Sequence, residues 1–127
     1  MTADSHEASA AVKVSVSKNE IRSYSGSGAL KIGKNIKSIA VDPTISGKHS
    51  ISSIKVKSGN KYFYVKDGVL FSKDKTKLIL YPNMRKNTTY TVPSGVKVID
   101  EYAFAGANIK NVTISSKVSR IGKNAFE

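Results

Sequence analysis

Few side chains in this sequence are of the kinds that carry out reactions. Its 127 residues include no cysteine and two histidines, so a disulfide framework and thiolate metal sites are excluded by composition. His6 lies in a small polar N-terminal stretch, and His49 sits in "SGKHS" with no acidic residue near it in sequence to orient it as a general base. Both read as solvated side chains. No serine stands in a nucleophile elbow, which leaves a hydrolase triad without support. Asp100 and Glu101 are adjacent, so they face different ways, whereas catalytic carboxylates converge on one bond. Their "IDEYAF" setting suggests a turn entering a helical segment, where carboxylates favour the positive end. Asp67 and Asp74 fall in turns, and neither an EF-hand nor a histidine cluster is present. "GSGALKIG" lacks both the GxGxxG spacing and the Gly-Lys-Ser/Thr ending of phosphate loops. Asn87-Thr88-Thr89 and Asn111-Val112-Thr113 match the glycosylation sequon, which is uninformative if the source is bacterial. The sequence thus gives no catalytic residue, no cofactor and no metal ligand.

Charge is the stronger signal. Lys and Arg outnumber Asp and Glu by 21 to 9, and residues 31 to 97 hold 14 of the basic side chains against 3 acidic ones. Such a region projects a positive field toward phosphates, carboxylates and anionic polymers. The same lysines also suit a solvated surface that keeps the protein in solution. Charge alone would suffice for salt-sensitive attraction to nucleic acid. No recognition helix, RNA-reading motif or base-stacking pattern accompanies it, so no specific nucleic acid is expected.

The elements that must carry these side chains follow from apolar spacing. With 39% apolar residues the chain suits one modest core. It has no run of 18 or more apolar residues, so no membrane insertion is expected. Residues 1 to 22 read as an N-terminal tail whose first nine residues are too polar to pack. Within it, Ala8-Ser9-Ala10 resembles the cleaved end of an export leader, without the basic and apolar regions that would precede it. Val12, Val14 and Val16 alternate with polar residues and predict a half-buried strand over 12–17. Residues 23–29, containing "SYSGSG", have the composition of a flexible linker.

From Leu30 onward a ruler recurs. Leu30, Ile32, Ile36 and Ile39 are spaced by 2, 4 and 3; so are Tyr90, Val92, Val96 and Ile99, and so are Val112, Ile114, Val118 and Ile121. Ile51, Ile54 and Val56 open a further unit that breaks off. A step of two places both side chains on one face of a strand. No unit buries its ladder by itself, so about four coils over 30–127 must stack and share one continuous apolar column. Between them, at about 61–82, Asp67-Gly68 and "SKDKT" mark turns between short apolar runs and predict an inserted β-hairpin or small meander.

"YTVPSGVKVIDEYAFAG" and "VTISSKVSRIGKNAF", with the insertion "DGVLFSKDKTKLILYP", resemble the BspA-like leucine-rich repeats of bacterial surface proteins. The resemblance covers roughly Leu30 to Phe126. Two features depart from it: "VDPTISG" (41–47) stands where the repeat has its "AF.G", and the chain stops just after "NAF", with no polar capping coil. The resemblance implies an α/β solenoid, a right-handed superhelix with a sheet on one side and a helical turn at each "AF" on the other. It also implies export, display at the bacterial cell surface and a non-enzymatic role in binding or adhesion.

If ladder residues point inward, the positions between them point out along the sheet. Lys31, Lys55, Thr91 and Thr113, with Lys57 one pleat further, are therefore the candidate partner-binding residues. Neighbouring lysines repel, which favours a role in attracting an anion. Tyr62, Phe63, Tyr64, Phe71 and Tyr81 could supply aromatic anchors, though some must pack against a coil because an isolated hairpin is marginal. The expected partner is a protein or an anionic polymer of the envelope or host. Alternatives are nonspecific attraction to nucleic acid or other polyanions, and a spacer within a larger surface protein. Stacking of copies through the last coil stays open.

Overall fold

The computed structural model describes residues 12–40 and 49–126, and no helix occurs among them. Eleven strands account for the regular structure: β1 (Lys13–Ser17), β2 (Glu20–Ile32), β3 (Ser38–Ile39), β4 (His49–Val56), β5 (Phe63–Lys66), β6 (Val69–Ser72), β7 (Lys77–Leu80), β8 (Thr89–Thr91), β9 (Val98–Ile99), β10 (Asn111–Thr113) and β11 (Arg120–Ile121). They form a β-solenoid of about four turns.

The 22-residue repeat becomes hydrogen bonding between rungs. On one side β8 and β10 run parallel with Tyr90 opposite Val112. On a second side β7, β9 and β11 form a parallel ladder, pairing Leu78 with Ile99 and Ile99 with Ile121. At the "AF" corner the Tyr81 N–H donates to the Ala103 carbonyl at 2.8 Å, and the Phe104 N–H to the Ala125 carbonyl at 2.7 Å. The Phe104 and Phe126 rings stack at 4.9 Å. The last two coils therefore meet along three separate lines.

The expected helical turn at each "AF" is a chain of tight turns instead. The N–H groups of Ala103, Ala105 and Ala107 donate to carbonyls three residues back, at Asp100, Tyr102 and Phe104. Tyr102 and Asn124, one repeat apart, both have φ of 58°, in the left-handed region. A right-handed α-helix cannot pass through that conformation, so the corner stays a turn.

One coil also approaches another through missing bulk. A Cβ built on Gly122 would lie 2.5 Å from the Glu101 nitrogen and 2.8 Å from the Asp100 carbonyl carbon. Only glycine lets its backbone come close enough for the Gly122 N–H to reach the Ile99 carbonyl at 2.7 Å.

The apolar column is not continuous. Strands β5, β6 and β7 make an antiparallel meander that lies between two cores. Phe63, Leu70, Ile79 and Leu80 join Leu30, Ile32, Ile51 and Ile54 in the first core. Val69, Phe71, Leu78 and Tyr81 join Val92, Val96, Ile99 and Phe104 in the second. Successive residues of β6 thus face opposite cores, as the period of two requires. In β7 the register shifts so that Leu70 faces Leu80 while Phe71 faces Leu78. Ile79 is the extra residue of this bulge and turns to the first core with Leu80. Consequently Ile32 pairs with Val56 in one sheet, whereas Val92 donates to the Thr113 carbonyl in another. Two stripes replace the single expected one.

The linker expectation for 23–29 also fails. Those residues are the middle of β2, which pairs antiparallel with β1 and parallel with β4. Gly26 and Gly28, with φ of 95° and 114°, sit where β2 changes partners, and the register with β4 shifts just after Gly28. Glycine composition here marks a bulge in a long strand, a use that resembles linker composition. β1 lies at the sheet edge, and its Val16 is 51% exposed rather than half-buried. The tail before Val12 and the departure at 41–47 lie outside the described residues.

Candidate binding surface

Lys31 and Lys55 stand directly opposite each other on the parallel strands β2 and β4, and both are exposed. Neighbouring strands lie about 4.8 Å apart, so the two ammonium stems rise side by side. Lys57 follows at the end of β4, its N–H bonded to the Ile32 carbonyl at 2.9 Å, its side chain exposed. Thr91 and Thr113 are likewise opposite one another and exposed, on β8 and β10. The structure therefore assembles the lysines on one sheet and the threonines on another. Among the described residues the ion pair within 4 Å is Arg22 with Glu20, at 3.6 Å, so the lysine surface is not neutralised by carboxylates at contact distance.

Sequence reasoning missed a second basic feature, at the corner that follows the sheet face in the first two coils. Lys34, Lys37, Lys61 and Tyr62 line a groove of about 360 Å³. It adjoins one of about 270 Å³ that shares Lys37 and Tyr62 and adds Ile39, Phe63, Lys77 and Asp100. The residue that shapes this corner is Asn60, 3% exposed. Its Nδ2 donates to the carbonyls of Gly33 (2.9 Å) and Ile36 (3.1 Å) in the coil before. Its Oδ1 accepts from the N–H groups of Tyr62 (2.7 Å) and Phe63 (3.0 Å). Asn60 stands four residues after Val56, where the other units have Ile36, Val96 and Val118. That polar residue on an apolar ladder was the legible signal, because a buried amide requires partners.

The aromatic candidates divide between these roles. Phe63, Phe71 and Tyr81 are buried and Tyr64 is half-buried, while Tyr62 is 42% exposed. Tyr81, Tyr90 and Phe104 cluster with ring centroids 5.1 to 6.0 Å apart. The Arg85 guanidinium lies over Tyr81 and Tyr90 at 5.3 and 5.5 Å. Burial pushes the Tyr90 phenol up to about 12 despite that cation. Asp74 accepts from the Ser72 hydroxyl (2.7 Å), the Thr76 hydroxyl (2.7 Å) and the Thr76 N–H (3.1 Å). Those donors, Ser72 first, hold its carboxyl down at about 2, which marks a turn-stabilising group. Among the described residues no group of three or more His, Cys, Asp or Glu is placed to hold a metal ion. Nor is any helix long and apolar enough to cross a membrane.

Stacked coils joined by parallel strand ladders, with "AF" turns at a corner, define a repeat scaffold. Residues 79–127, the last two coils with the end of β7, match the family described as "BspA type Leucine rich repeat region (6 copies)". Among solved structures the chain is similar to a leucine-rich repeat protein from Eubacterium ventriosum, at 35% identity and a TM-score of 0.70 over 77% of this chain and 26% of that one. It is also similar to the pneumococcal vaccine antigen PcpA, at 32% identity and a TM-score of 0.71 over 80% of this chain and 25% of that one. This chain spans about a quarter of the length of either. No curated protein matches it.

Proposed function

We propose that this chain is a non-enzymatic binding module, displayed at the surface of a bacterium after export, that holds a protein or anionic polymer against its outer sheet faces. The observation that carries the reading is the side-by-side placement of exposed Lys31 and Lys55 on paired strands, with Lys57 at the strand end. Like charges in that register cost stability in the free protein, and a bound anion relieves the repulsion. Thr91 and Thr113 offer paired hydroxyls on a second sheet, over the last two coils. The match of residues 79–127 to the repeat family, and likeness to a pneumococcal antigen, support a binding role at a bacterial surface.

Salt titration tests the reading. The 127-residue chain is titrated against heparin, a teichoic acid and single-stranded DNA. The expected result is one polymer that stays bound above about 0.2 M salt, where screening removes diffuse attraction. Binding of that polymer then falls about tenfold when Lys31, Lys55 and Lys57 are all replaced by Ser. Equal loss of every polymer by that salt concentration, or unchanged affinity in the triple variant, overturns it.

A further inference from the structure

We propose that the corner groove between the first two coils and the meander docks an extended acidic peptide segment bearing an aromatic or aliphatic side chain. It is a surface separate from the sheet faces and does not depend on them. Lys34, Lys37, Lys61 and Lys77 supply four cations along its two parts, against the Asp100 carboxylate. In the second part Ile39, Phe63 and Ile79 form an apolar stretch of floor beside Ser38 and Ser72. Carboxylates spaced along a peptide match the lysines, and an apolar side chain matches the floor. A sulfated glycan or a nucleic-acid backbone would satisfy the charge and leave that floor wet.

The groove is also rigid where recognition needs it. Tyr62 donates its N–H to Asn60 Oδ1 at 2.7 Å and accepts from the Lys73 N–H at 3.0 Å, while its ring remains 42% exposed. An aromatic ring on a fixed backbone loses little freedom on binding, which makes Tyr62 the anchor. Ser38 and Ile39 of β3 also line the second part of the groove, and among the described residues β3 stands at the end of its pairing path beside β2. A peptide lying along Ser38 and Ile39 can therefore add backbone hydrogen bonds as a further strand.

The test uses the full chain and fluorescein-labelled peptides of alternating Glu and Phe, compared with alternating Lys and Phe, polyglutamate, a heparin fragment and oligo-dT. The Glu-Phe peptide should bind best and stay bound above about 0.2 M salt. Tyr62→Ala, and separately Lys37→Glu with Lys61→Glu, should each weaken it about tenfold. The triple Lys31, Lys55, Lys57 to Ser variant should bind it as the parent does, which separates this result from that of the sheet face. In the unsubstituted protein, peptide should shift the amide resonances of Ser38, Ile39, Tyr62 and Phe63. Preference for heparin, oligo-dT or polyglutamate, an unaffected Tyr62→Ala, or resonance shifts confined to Lys31 and Lys55 overturns the proposal.

Discussion

At the scale of single residues, the side chains that matter most are polar groups fixed by local chemistry. Asn60 satisfies two carbonyls of one coil and two N–H groups of its own while almost wholly buried. Asn60→Ala strands those groups without partners, so a loss of about 2–4 kcal/mol is expected in urea denaturation. Asp74 makes a different prediction, with pH. Its carboxyl is lowered from 3.8 to about 2, so its contribution is present above the ordinary value and lost as pH falls toward 2. Asp74→Asn should remove that part of the acid slope in stability measured between pH 4 and 2, and an unchanged slope would mean that the three hydrogen bonds do not form in solution. Spacing puts a polar residue on the ladder at Asn60 and an aspartate in a turn at Asp74, but it does not show their partners. Which donors and acceptors surround them depends on the fold.

At the scale of elements, the ruler of apolar residues carried most of the information. The 22-residue offset between Ile99 and Ile121 is also the pairing of β9 with β11. What the ruler could not carry is left-handed backbone, since nothing in "EYAF" announces that Tyr102 adopts a φ of 58°. "SYSGSG" misled for a related reason, because a bulge and a linker draw on the same small residues. The lysine candidates illustrate the same limit: alternation placed Lys31 and Lys55 outward, but it could not show that the threonines belong to another sheet. Close approach between coils gives a sharp test. Gly122→Ala forces a Cβ into the backbone of Asp100 and Glu101 and should cost about 1–3 kcal/mol by denaturation. At Gly33 the nearest atom to a new Cβ is the Ile36 side chain at 3.8 Å, so the same substitution should change stability by less than about 0.5 kcal/mol.

At the scale of the whole molecule, the three-strand meander decides how the parts answer to one another. Leu70 belongs to the first core and Phe71 to the second, although they are neighbours on β6. Removing either leaves a void on one side of a layer that both sides need. Leu70→Ala and Phe71→Ala should each lower stability by about 2–5 kcal/mol. Each should do so in one transition, with far-ultraviolet circular dichroism and tyrosine fluorescence moving together. Two separated transitions would show that the cores fold independently. The same arrangement bears on growth: each flank seals itself against its own surface of the partition, so lengthening the stack by a whole rung beyond β11 leaves the opposite flank undisturbed. Reach can thus be altered in 22-residue increments while the lysine corner keeps its shape.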